Sequence, residues 1–121
     1  MAAEQIDRAR WSTFLDALTR TLVGKQAEIE VAGLDLGDQI EAEWAPLIGI
    51  TYDEKDDLIE IALDELDHLI RSPRAVFVDE GVGGIVAIAI DDGDGRHHIV
   101  KLKDPLALPA PETSAPQTAA R

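Results

Sequence analysis

The sequence predicts an α+β domain, with one N-terminal amphipathic helix packed on an antiparallel meander sheet of about six short strands, either curved or closed into a small barrel. Three observations predict it. Large apolar residues recur at helical spacing near the N-terminus. From Gly24 onward the spacing changes to strict alternation, broken by Gly-, Pro- and Asp-rich turns. Aromatic residues are confined to Trp11, Phe14, Trp44, Tyr52 and Phe77, so the core must be built from aliphatic side chains.

The helix rests on Trp11, Phe14, Leu15, Leu18 and Leu22, whose spacing gathers five apolar groups on one face. Asp7 or Ser12 suits its start, and Gly24 suits its C-terminal cap. In Gln26–Ala32, Ala27, Ile29 and Val31 oppose Glu28 and Glu30, the pattern of a half-buried strand. Gly33 and Gly37 bracket a turn. Asp38–Trp44 alternates again, Pro46 marks a bulge, a bend or an edge, and Leu47–Tyr52 resumes as a strand. Asp53–Asp57 is a polar turn leading to a strand over Leu58–Leu63.

The segment from Asp64 to Arg71 is ambiguous. Ile59, Leu63, Leu66 and Ile70 fit one helix face, and the segment is rich in Leu and Glu, which favour helix. The reading adopted is a strand through Leu63, then a short helical turn to about Leu69, ended by Pro73. Strands follow over Ala75–Asp79, Ile85–Ile90 and Arg96–Leu102. Asp94-Gly95 supplies a hairpin turn between the last two. Residues 1–7 read as a flexible N-terminus, 8–103 as the domain, and 104–121 as a Pro/Ala-rich extended or disordered tail.

Composition narrows the function. The 121 residues suit one domain, and 45% hydrophobic content separates them from disordered chains. There is no cysteine, so disulfides and thiol chemistry are ruled out. Residues 1–10 carry no signal-like apolar run, and no stretch is long enough to span a membrane, so a soluble cytoplasmic protein is expected. The formal net charge of -13 repels phosphate backbones and anionic lipids. It points away from nucleic acid and membranes and toward a basic protein partner, or toward no more than solubility. Oligomeric state is left open.

The candidate sites are sparse. Asp67-His68 offers a carboxylate beside an imidazole, the raw material of general-base catalysis, although sequence neighbours seldom point together. Asp91, Asp92 and Asp94 superficially resemble a calcium loop, but the glycines are misplaced and no distant Glu follows. His97 and His98 are candidate metal ligands. On a strand they point to opposite faces, with His98 sharing the parity of Val100 and Leu102. The acidic run from Asp53 to Asp67 reads as a solvated face rather than as paired catalytic carboxylates. Ser12, Ser72 and Ser114 lack a nucleophile elbow. Gly81–Gly84 joins two strands and does not form a phosphate loop. No cofactor is expected, and an enzyme is the less favoured reading.

Several stretches resemble a bacterial domain-of-unknown-function family, numbered five-three-three-five. They are Trp11-Ser12-Thr13-Phe14-Leu15-Asp16, Ile50-Thr51-Tyr52-Asp53, Lys55-Asp56-Asp57, and Leu66-Asp67-His68-Leu69-Ile70 with Pro73. Asp104-Pro105-Leu106 and Leu108-Pro109-Ala110-Pro111 complete the set. The resemblance implies a stand-alone bacterial domain of small size. It implies no activity and adds no catalytic residue, but it places His68 inside the most distinctive stretch.

These readings leave a binding or interaction domain with an acidic surface as the favoured function. The alternative is a ligand- or metal-binding protein or enzyme using His68 with nearby carboxylates.

Overall fold

A computed structural model describes residues 3–22, 24–35, 37–82 and 84–104. Eight antiparallel strands form one sheet: β1 (Ala3–Ile6), β2 (Gln26–Gly33), β3 (Gly37–Asp53), β4 (Leu58–Leu63), β5 (Asp67–Arg71), β6 (Pro73–Gly81), β7 (Gly84–Asp92) and β8 (His97–Lys103). Among the described residues there is one α-helix, α1 (Trp11–Leu22), which follows a 3-10 turn at Arg8–Arg10. The strand order is β1-β6-β7-β8-β2-β3-β4-β5. The sheet does not close into a barrel, and β1 and β5 are its outer strands.

Four expectations are corrected. First, Asp64 to Leu69 forms no helical turn. Asp64–Leu66 is a short bend, and β5 follows at once. The exposed–half-buried–exposed–buried run of Asp67, His68, Leu69 and Ile70 shows alternation prevailing over helical propensity. Second, the two strands read on either side of Pro46 are one strand of 17 residues. Third, Ala3–Ile6, read as flexible, pairs with β6 (Gln5 opposite Phe77). Fourth, the sheet has eight strands rather than about six and is more than a simple meander. Two local sets, β2-β3-β4-β5 and β6-β7-β8, are joined by pairing of β2 with β8 (Ile29 opposite Val100). The expectation for the tail falls on residues 105–121, outside the described residues.

The helix forms where the spacing requires it. Trp11, Leu15, Leu18 and Leu22 are buried and Phe14 packs against them. Asp7 makes no side-chain cap, and Trp11 instead donates its indole N–H to the Ile6 carbonyl at 2.9 Å. Gly24 takes φ +94°, and the Lys25 N–H returns to the Leu22 carbonyl at 3.0 Å, closing the helix as expected.

The long strand β3 organises the molecule. Over Gly37–Pro46 it pairs with β2, and over Leu47–Asp53 with β4. Between these segments it bends. Its pairing with β2 slips at two places and its pairing with β4 at one, and Trp44 adopts φ +42°. The bend folds β4 and β5 over, so that their inner face meets the inner face of the other strands. Ile50, Ile59, Ile61 and Ile70 from one half pack in the same core as Ala27, Ile29, Val76, Ile88, Ile90 and Val100 from the other.

Past the bend, β2 no longer borders β3, and α1 takes its place. The Thr19 hydroxyl accepts from the Ile50 N–H at 2.9 Å and lies 2.8 Å from the Ile50 carbonyl. The Leu47 N–H donates to the Lys25 carbonyl at 2.8 Å. A helix can approach this closely because residue 49 is glycine. A Cβ there would meet Thr19 Cγ2 at 3.1 Å. Thus α1 satisfies backbone groups that an edge would leave bare.

Candidate functional site: a carboxylate and two imidazoles across the sheet

The β7–β8 hairpin carries two aspartate–histidine pairs, one on each face. Successive residues of a strand point to opposite sides, so Asp91 pairs with His97 outside and Asp92 with His98 inside. Asp92 and His98 are 7% and 5% exposed, the two buried polar residues of the described core. His98 Nε2 lies 2.8 Å from Asp92 Oδ2. The other oxygen, Oδ1, accepts from the Asp94 N–H at 2.8 Å and the Arg96 N–H at 3.0 Å. This is the DDGDG segment. It forms a hairpin turn whose aspartate is saturated by protein donors.

His68 belongs to the other half of the sheet, on the inner face of β5 beside Ile61 of β4. The fold-over brings its Nε2 within 2.9 Å of His98 Nδ1. The three groups form a continuous chain: Asp92, His98, His68. Its polarity follows from elementary chemistry. An ionised carboxylate only accepts, so His98 must carry its proton on Nε2. With both rings neutral, His98 Nδ1 is then a lone pair, and His68 donates from Nε2. One unprotonated nitrogen, Nδ1 of His68, is left at the far end.

The electrostatics keep the Asp92 carboxylate ionised and accepting. Burial alone would raise the Asp92 carboxyl. Hydrogen bonds from His98 and from the Arg96 and Asp94 N–H groups outweigh it and hold Asp92 below the usual aspartate value. His68 is held below the ordinary histidine value, by burial first and by nearness to His98 second, against an opposing pull from Glu41.

The sequence-predicted residues are thus distributed unequally. His68, His98 and Asp92 come together. Asp67, adjacent to His68, points to the outer face, where its carboxyl raises that of Glu60 on β4 by hydrogen bonding. It cannot orient His68. His97 is exposed with Asp91, and the Asp94 side chain is exposed at the turn. A cleft of about 280 Å³ beside His97 is lined by Leu34, Asp38 and Gly95. Among the described residues no three such side chains converge to hold a metal ion. Sequence reasoning missed Glu41 as a neighbour of His68. It also missed the partnership of two histidines 30 residues apart. Their only shared signal was inward parity on two alternating segments.

A second cluster anchors the N-terminus. The Arg8 guanidinium stacks 4.3 Å over Trp11, donates to the Pro73 carbonyl at 2.8 Å and approaches Tyr52 and Asp57. Tyr52 donates to Asp57 at 2.7 Å. Burial and this carboxylate raise the phenol above its usual value.

A family of unknown function, DUF5335, matches residues 2–111. The chain belongs to the DUF5335 family. An uncharacterized protein of Aquifex aeolicus (strain VF5) is 37% identical to this DUF5335 chain over 110 residues, covering 90% of the chain and 99% of that relative. No solved structure matches it. Among the described residues of the DUF5335 chain, no helix is long and apolar enough to cross a membrane.

Proposed function

We propose that this chain is a non-enzymatic binding domain whose acidic surface receives a basic protein partner. One observation carries the reading. Three turns that are far apart in sequence meet at one end of the sheet and concentrate carboxylates there. The Ser72 N–H donates to the Asp57 carbonyl, Gly93 abuts Ser72, and Arg96 reaches Asp35 at 2.7 Å. These contacts join the turns at Asp35, Asp53–Asp57 and Asp92–Gly95. Arg96 and Arg8 are taken up by Asp35 and Asp57, and Asp53, Glu54, Asp56 and Asp94 face solvent. A field of one sign steers a partner of the other sign and weakens with salt.

The test is titration with a lysine-rich polypeptide, duplex DNA and anionic vesicles, at about 50 and about 300 mM salt. Binding of the cationic polypeptide alone, lost at the higher salt, supports the reading. Salt-insensitive binding, or binding to DNA or vesicles, overturns it.

The Asp92–His98–His68 chain favours a second reading, in which His68 Nδ1 accepts a proton or hydrogen bond from a small ligand. A thermal-shift screen of metabolites and metal ions against the parent chain and His68→Gln separates the two readings. A ligand at about 100 times its dissociation constant adds roughly 2.7 kcal/mol, a melting shift of several degrees. A shift that disappears in His68→Gln assigns the ligand to this site.

A further inference from the structure

We infer that the N-terminal half of β3, Asp38–Trp44, is a docking edge that takes an extended cationic polypeptide as an added strand. The inference rests on the reading above that the partner is basic, and it names where that partner sits.

Among the described residues this stretch pairs with β2 on one side only. Pairing with β4 begins at Leu47, beyond the bend. The later half of β3 has its bare edge covered by α1 through Thr19 and by Lys25 just beyond the helix. The earlier half has no such cover. Asp38, Gln39, Ile40, Glu41 and Glu43 are exposed, and Ala42 and Trp44 are half-buried. Ala42 packs against the core and Lys103 lies 4.2 Å over Trp44, so it is the outer side of the stretch and its free edge that face solvent. A strand with one free side presents N–H and C=O groups that an incoming chain can pair.

Charge selects the occupant. Asp38, Glu41 and Glu43 lie along the edge, and Ile40 between them is 48% exposed. A second copy of this chain would bring the same acidic edge against it, and the like charges would oppose pairing. A strand carrying Lys or Arg would bring cations near these carboxylates, and an apolar residue among them would lie near Ile40. The slip in pairing at Glu41 limits the match to a short segment, because a bulge interrupts a ladder.

The experiment uses the full chain and a blocked peptide of alternating lysine and valine, about eight residues long, within the ordinary strand range. Amide hydrogen exchange and backbone NMR shifts locate the contact. The expected result is slowed exchange within residues 38–44 on binding, with about tenfold or greater weakening in the double variant Glu41→Lys/Glu43→Lys. A peptide N-methylated at alternate residues keeps its charge and loses donors, so it should bind about tenfold more weakly.

Equal binding of the N-methylated peptide, or contacts confined to the turns around Asp53–Asp57 and Asp92–Gly95, overturns strand addition while leaving the basic-partner reading intact. No binding at low salt overturns both. Protection of residues 38–44 that grows with protein concentration alone assigns the edge to a second copy and overturns the cationic occupant.

Discussion

His68 and His98 share one hydrogen between facing nitrogens, and this limits what the pair tolerates. With both rings neutral, His68 donates to His98. With both rings protonated, N–H faces N–H and the bond cannot exist. The direction of the pH effect follows. His68 is held below its ordinary value, so below about pH 6.5 the unfolded chain takes up a proton that the folded chain resists. The contribution to stability is complete above that range and is lost as pH falls through it. Denaturation midpoints at about pH 7.5 and about pH 5.5 should differ, and His68→Gln should shrink the difference. The lowered Asp92 value adds a second loss, which begins as pH falls into the ordinary aspartate range. Asp92→Ala strands a buried imidazole N–H and two backbone donors, and should cost about 2–3 kcal/mol in chemical denaturation. Half of this site was legible. The parity of His98 with Val100 and Leu102 pointed it inward. The position of His68 opposite it was hidden, because local sequence does not report which strand is folded across which.

At the scale of elements, the difficult segment was the one where two periodicities overlapped. Leu66 and Ile70 satisfied a helix with Ile59 and Leu63, and only the two-residue alternation of His68 with Ile70 favoured a strand. Pairing with β4 decided the matter, and pairing is a tertiary property. Pro46 was legible as a bend, whereas the positive φ of Trp44 was not, since nothing local demands it of a tryptophan. The junction of α1 with β3 makes a sharper prediction. Thr19→Val removes the hydroxyl that the Ile50 N–H uses and should cost about 1–3 kcal/mol, whereas Thr19→Ser should retain most of the stability. A loss in Thr19→Ser with none in Thr19→Val would show that the methyl group, not the hydroxyl, holds the helix in place. At the β5–β6 junction Ser72 sits at φ +52°, so Ser72→Gly should be neutral or stabilising by up to about 1 kcal/mol in the same assay.

For the molecule as a whole, net charge dominates. A formal charge of -13 on a domain this small repels itself in the compact state. Raising salt from about 10 to about 150 mM should therefore raise the melting temperature, the opposite of what a fold held by surface ion pairs would show. The order of strands has a further consequence, for how fast the chain reaches this structure. The hairpins β6-β7-β8 and β2-β3-β4-β5 join close neighbours and can form early. The pairings of β2 with β8 and of β1 with β6 bring together segments separated by more than half the chain. Such closures must lose loop entropy before any contact compensates it. Refolding should accordingly be slow for the chain's length. Stopped-flow measurements on Val100→Ala, which weakens the β2–β8 pairing, would show whether that closure belongs to the rate-limiting step, because only then does the folding limb slow.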